Sequence, residues 1–233
     1  MHFSGLQERV AEVRGRIALA AGRGGHGQAV RLVAVTKTHG PESVAAIHAV
    51  GVVEVGENKV QEALRKQDAL AEVLPGGDGA LRWHLIGHLQ SNKAKWLARF
   101  ALFHALDRAK LADAIDVVGR GLPDPVDVLV QVNVSGEVSK GGYESSALAG
   151  EAERLRGLAG LRVVGVMTMA PFDASETTLR SVFQGARAAR EVLASAGHSA
   201  TELSMGMSGD FEVAVEEGAT LVRLGTVLFG ERG

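Results

Sequence analysis

The stretch LVAVTKTHGPESVAAIHAV, residues 32–50, decides the fold. Its opening run, Leu32-Val-Ala-Val-Thr36, is short, apolar and β-branched, as a buried strand requires, and residues 41–50 read as a helix. The same unit recurs along the chain. Further strand-like runs are Val52-Val-Glu-Val55, Trp83-His-Leu-Ile86, Leu102-Phe-His-Ala-Leu106, residues 126–134, residues 161–167, Glu202-Leu-Ser204 and Leu221-Val-Arg-Leu224. Helical segments at 59–73, 110–118, 146–155 and 179–193 lie between them. Eight strands alternating with helices in a chain of 233 residues predict an α/β fold, a closed (β/α)8 barrel. An open doubly wound sheet is the second architecture consistent with the alternation.

Before the first strand, Phe3, Leu6, Val10, Val13 and Ile17 fall at helical spacing, predicting an extra N-terminal helix that ends in the glycine-rich run 22–27. No linker or low-complexity tract interrupts the rest of the chain, so residues 1–233 are expected to form one domain. The chain is 46% hydrophobic and contains no cysteine, which excludes disulfides, zinc-thiolate sites and thiol nucleophiles and fits a reducing, cytoplasmic setting. The apolar run 17–21 is too short for a signal-peptide core, and no segment approaches the about 20 apolar residues of a membrane span. A net charge of -2 gives no general attraction to nucleic acid or anionic membrane.

The less ordinary residues gather after the proposed strands. They are Lys37 and His39, Gly56-Glu57-Asn58, Gly87-His88, Asp107, Asn133 and Ser135, Thr168, residues 205–208, and Arg223 ahead of Gly225-Thr226. In such barrels the site lies on the face formed by those strand ends, although strand-to-helix turns are commonly polar in any case. Lys37, partly desolvated beside other cations, suits a Schiff-base amine; a rim lysine whose stem snorkels along apolar surface is the alternative. Arg223 interrupts a buried run and must either meet an acceptor in a structural ion pair or line a polar cavity. Residues 204–210 place small residues ahead of a helical segment at 211–217, with Ser208 as its expected N-cap. Exposed amides there and at Gly225-Thr226 would form a phosphate cradle, unless the glycines serve only tight turns.

Three patterns carry less. Gly22-Arg-Gly24-Gly-His-Gly27 matches a dinucleotide-binding spacing but comes after a helix and before a strand, the reverse of the required context. His84 and His88 have the four-residue spacing of a metal site on a helix, yet fall on a strand and its turn, so no metal is expected. Residues 90–99 read as a capped amphipathic helix rather than a nucleic-acid contact. The loop 135–142, with Lys140, is expected near the mouth as a lid, a partner surface or a long turn.

Several long motifs in order give the chain a resemblance to the pyridoxal phosphate homeostasis protein family, also called the proline synthase co-transcribed family. They are Ala34-Val-Thr-Lys37, Gly56-Glu-Asn-Lys-Val-Gln-Glu62, Trp83-His-Leu-Ile-Gly-His-Leu-Gln-Ser-Asn-Lys93, Val132-Asn-Val-Ser-Gly-Glu-Val-Ser-Lys-Gly-Gly142, Gly165-Val-Met-Thr-Met169, Leu203-Ser-Met-Gly-Met-Ser208 and Val222-Arg-Leu-Gly-Thr-Val-Leu-Phe-Gly230. The resemblance implies a barrel similar to the N-terminal domain of alanine racemase, with pyridoxal 5′-phosphate (PLP) held as an internal aldimine on Lys37. It also implies that Arg223 faces the pyridine nitrogen, that Asn58 lies beside the ring, and that Ser204, Met205, Ser208, Gly225 and Thr226 are at the phosphate-binding positions. Lys59 and His88 stand where many relatives have tyrosine and proline; both lie outside that set.

An arginine facing the ring nitrogen makes the cofactor a weaker electron sink, and racemisation needs a second base on the opposite face of the substrate carbon. The one tyrosine is Tyr143. The reading favoured is a cytoplasmic, monomeric carrier that buffers PLP or passes it to apo PLP-dependent enzymes. A fold-type III enzyme such as an amino-acid racemase, with Tyr143 or a mouth histidine as second base, is the alternative. A cofactor-free Schiff-base lyase is a third.

Overall fold

The computed structural model describes residues 3–74, 76–77, 79–137 and 141–230. Its strands are β1 (Arg31–Val35), β2 (Glu54–Glu57), β3 (Arg82–Leu85), β4 (Leu102–Leu106), β5 (Val126–Asn133), β6 (Tyr143–Glu144), β7 (Leu161–Met167), β8 (Glu202–Ser204) and β9 (Leu221–Leu224). Neighbours run β4-β3-β2-β1-β9-β8-β7-β5, all parallel, and β4 pairs again with β5. The sheet is therefore a closed eight-stranded barrel. The first and last strands are joined in register, with Val33 opposite Arg223 and Ala34 opposite Leu224. The two-residue β6 is an addition beside the end of β5, pairing Tyr143 with Val132.

The helices are α1 (Leu6–Gly24), α2 (Pro41–Ala49), α3 (Val60–Leu70), α4 (Ala109–Gly119), α5 (Leu148–Arg156), α6 (Glu176–Ser195), α7 (Phe211–Glu216) and α8 (Thr226–Phe229). The extra helix α1 buries Leu6, Val10, Val13, Ile17 and Ala20, one stripe at three- and four-residue spacing, and ends at Gly25 in the left-handed conformation. It is tied to α7 by Arg16 to Glu212 (2.7 Å) and Arg23 to Glu216 (2.6 Å), with the Arg16 guanidinium over the Phe211 ring. Residues 90–99, expected as a capped amphipathic helix, contain a 3-10 helix, Ser91–Arg99. Its buried residues, Ala94 and Leu97, are three apart, which a three-residue turn stacks on one edge.

A barrel strand is covered on both faces, which is why β4 is buried throughout. His104 bonds Ser204 of β8, and those strands are not neighbours, so the contact crosses the lumen. Leu102 and Leu106 share that inward face with His104, while Phe103 and Ala105 face the helices. No helix among the described residues is long and apolar enough to cross a membrane.

Candidate functional site at the barrel mouth

The closed topology brings the expected site residues to the carboxyl ends of four consecutive strands. Ser208 comes after β8, Gly225 and Thr226 after β9, Lys37 after β1 and Asn58 after β2. Thus one arc of the rim carries them all.

Lys37 is half-buried, and Thr38 beside it takes the left-handed conformation (φ 69°), unfavourable for a β-branched residue. The peptide groups on both sides of Lys37 are held. Lys66 Nζ donates to the Thr36 carbonyl at 2.7 Å, and the Thr38 N–H donates to Glu62 Oε1 at 2.7 Å. Lys66 also donates to Glu57 Oε1 (2.6 Å) and Glu62 Oε1 (3.0 Å), while the Thr36 hydroxyl donates to Glu57 Oε1 at 2.5 Å. Burial pushes the Glu57 carboxyl up, against the pull of Lys66 and Thr36, and its Oε2 is buried without a hydrogen-bond partner. Burial raises Glu62 too, but bonds from Lys66 and the Thr38 amide bring it below the usual carboxylate range. Sequence reading missed this frame. Glu57 was expected in a turn and is instead the buried last residue of β2. The signal for Lys66 was its place on the buried stripe of α3, with Ala63, Gln67 and Leu70.

Arg223 is buried inside the barrel, where its Nη1 donates to Ser204 Oγ (2.7 Å) and its Nη2 to the Thr168 carbonyl (3.0 Å). It faces the lumen, and among the described residues no carboxylate forms an ion pair with it; burial pushes its pKa down to about 10, against a favourable field from Asp210. Ser204, expected among the phosphate-binding positions, has its hydroxyl engaged by Arg223 and by His104 Nδ1 (2.8 Å), and Met205 beside it is fully buried. Behind them His104 bonds His84 (2.8 Å), and His84 Nε2 bonds Glu54. His84 is thus a lumen residue, and no group of three or more His, Asp or Glu among the described residues could hold a metal.

Ser208 is not the N-cap of α7. Asp210 takes that position, with its Oδ1 accepting from the Met207 amide at 2.5 Å, and the Ser208 hydroxyl turns toward α8, accepting from the Val227 amide at 3.3 Å. Ser208 is thereby fastened beside the first turn of α8, where the leading amides, those of Gly225 and Thr226, precede any intrahelical bond. Gly206 permits this approach. Its φ of 92° and the 2.7 Å from an added Cβ to Ala214 Cβ leave no room for a side chain. The donor set along this arc is an amine, backbone amides with a hydroxyl, and a guanidinium. Those match an aldehyde, a phosphate and a ring nitrogen, three of the polar functions of PLP.

Tyr143 donates its hydroxyl to Glu151 Oε1 on α5 (2.7 Å), and burial together with that carboxylate raises its pKa. His88 is exposed and bonds Asp107 (2.8 Å). Of the loop 135–142, residues 138–140, including Lys140, lie outside the described residues. Its ends are fastened by Asn133 Nδ2 to the Glu137 carbonyl (2.8 Å) and Gln131 Nε2 to the Gly141 carbonyl (2.6 Å).

Comparison with known proteins identifies the family. The family described as "Alanine racemase, N-terminal domain" matches residues 12–233. The pyridoxal phosphate homeostasis protein of Aquifex aeolicus is 42% identical over 230 residues, covering 97% of each chain. That of Pseudomonas aeruginosa is 43% identical, covering 99% of this chain and 97% of its own. Among solved structures, PipY of Synechococcus elongatus with PLP bound superposes with a TM-score of 0.84 at 34% identity, over 97% of this chain and 100% of that one. Alanine racemase of Corynebacterium glutamicum shares the fold alone, with a TM-score of 0.71 at 16% identity over 61% of its length.

Proposed function

This chain belongs to the alanine racemase N-terminal domain family and, within it, to the pyridoxal phosphate homeostasis proteins, and from that premise we propose that it binds PLP covalently through Lys37. In this reading it serves intracellular vitamin B6 balance as a single-domain, monomeric carrier, holding the cofactor for apo-enzymes without amino-acid turnover of its own. The observation that supports it most is the register of β1 with β9, by which an amine, a lumen-facing guanidinium and a helix start with a fastened serine share one rim. Lys37 would hold the cofactor covalently through its Nζ amine. Ser208 and the amides of Gly225 and Thr226 would hold the phosphate, Arg223 would meet the ring nitrogen, and Asn58 would lie beside the ring. Ser204, its hydroxyl committed, orients Arg223, and Met205 is buried beside it.

Bound PLP supplies an electron sink, and an arginine at the ring nitrogen weakens it. Tyr143 argues against a racemase, since its hydroxyl is spent on Glu151 and a raised pKa keeps it protonated, with no lone pair free to take a substrate proton as phenolate. The test is absorbance of wild type and Lys37→Ala after adding PLP, then borohydride reduction and peptide mapping. Expected are a yellow wild type with the adduct on Lys37 and no such adduct in the variant. A colourless wild type, or adducts scattered over surface lysines, overturns the reading.

A further inference from the structure

Five polar side chains form one line through the barrel interior. Glu54 stands at the amino end of β2, near the face opposite the mouth, where Arg31 Nη1 (3.4 Å) and Arg82 Nε (3.3 Å) flank it. From it the line passes to His84 on β3, His104 on β4, across the lumen to Ser204 on β8, and to Arg223 on β9. Both histidines and Ser204 are fully buried.

The ends dictate everything between them. A guanidinium has donors only, and an ionised carboxylate has acceptors only. Glu54 is raised by burial, but its bond from His84 and the nearby positive charges hold it below the usual carboxylate range, so it is ionised at neutral pH. Burial keeps both imidazoles neutral, His104 well below its ordinary value with His84, Arg223 and Arg31 adding to the effect. A neutral imidazole has one donor and one acceptor. His84 Nε2–H must therefore donate to Glu54, which leaves its Nδ1 to accept from His104 Nε2–H at 2.8 Å. His104 Nδ1 then accepts from the Ser204 hydroxyl at 2.8 Å, and Ser204 Oγ accepts from Arg223 at 2.7 Å. Turning either imidazole over would set donor against donor or acceptor against acceptor.

We propose that Glu54 is a positioning residue for Arg223, acting from the far end of the barrel through this one-directional chain of His84, His104 and Ser204. The proposal rests on the cofactor reading only for what Arg223 faces, because the chain of bonds consists of the protein's own residues. An amide at position 54 both donates and accepts, so Glu54→Gln lets His84 and His104 take either tautomer. Ser204 then loses its fixed orientation and the guanidinium its fixed partner. Glu54→Asp keeps an acceptor-only group.

The test has two readouts. Long-range proton–nitrogen NMR of imidazoles in the protein without added PLP is expected to show two neutral Nε2–H tautomers, unchanged from pH 7 to 8 and assigned by His84→Gln and His104→Gln. Glu54→Gln is expected to mix the tautomers and Glu54→Asp to restore them. In parallel, Glu54→Gln should shift the absorbance maximum of bound PLP and weaken its binding roughly two- to tenfold, the net worth of one hydrogen bond. Wild-type histidines that titrate in this range or carry Nδ1–H overturn the proposal. Uptake of PLP by wild type, with Glu54→Gln matching it in both tautomers and spectrum, overturns the relay and upholds the cofactor reading. Tautomer mixing in Glu54→Gln with no uptake of PLP by wild type does the reverse.

Discussion

Two buried polar clusters reach the same rim from opposite sides of the barrel wall, and they are built on different principles. Between the sheet and α3, Lys66, Glu57, Glu62 and Thr36 form an ionic group that grips the backbone on either side of Lys37. Inside the lumen the charges stand only at the ends, Glu54 and Arg223, with neutral histidines and a serine between, and what is gripped is the side chain of Arg223. A lysine that has to offer its own amine is best fixed by its peptide groups. An arginine that has to present one face is best fixed by the donors on its edge.

The largest expected effect breaks the ionic cluster. Lys66→Met leaves Glu57, with no exposed surface, facing only the Thr36 hydroxyl, and removing one partner of a buried pair costs about 3–5 kcal/mol. Urea unfolding at pH 8 should show that loss, and repeating it at pH 5 should show a smaller one, because protonated Glu57 no longer needs a counter-charge. A loss equal at both pH values would mean that Glu57 is neutral throughout and that the cluster is not ionic.

The lumen chain should respond more weakly. His104→Leu strands the Ser204 hydroxyl and His84 Nδ1, for a cost of about 1–3 kcal/mol at pH 7 and above, where burial holds both histidines neutral. The double variant His84→Leu, His104→Leu should cost less than the two singles added together, because two groups left without partners are removed as a pair. Additive losses would break the chain into unrelated bonds.

The contrast also marks how far the sequence was legible. Strand alternation in runs such as residues 32–36 and 102–106 announced the barrel, and Lys37, Arg223 and the 205–208 loop stood out as polar residues at strand ends. The β2 strand was placed two residues early because Gly56 and Glu57 looked like a turn, whereas Glu57 is buried by a lysine that lies nine residues further on. His84 and His104 were visible as single polar residues inside apolar runs, but the partner of His104 is 100 residues away in the sequence and reachable only once the barrel closes. Local pattern reveals where a polar residue breaks a rule; the closed topology determines which partner satisfies it. For the same reason Ser208 looked like a cap for the helix directly after it, and its actual partner, the Val227 amide, is in the short helix after the next strand.

The smallest expected effect divides the ionic cluster itself. Lys66 serves two carboxylates whose folded pKa values depart from the ordinary 4.5 in opposite directions. Glu62 is lowered, so its contribution to stability is present above the unfolded value and disappears as pH falls through the folded one. Glu57 is raised, so its contribution is present below the unfolded value and disappears as pH rises through the folded one. Stability measured from pH 3.5 to 7 should therefore lose part of its acid-side decline in Glu62→Gln, by about 1 kcal/mol over the window. In Glu57→Gln the stability should instead fall less steeply, or rise more, as the pH increases. If both variants changed the slope in the same sense, the two carboxylates would be sharing one proton with Lys66 as a single unit. The Thr38 amide could then no longer be what separates them, and the hold on the peptide group after Lys37 would have to come from the turn geometry alone.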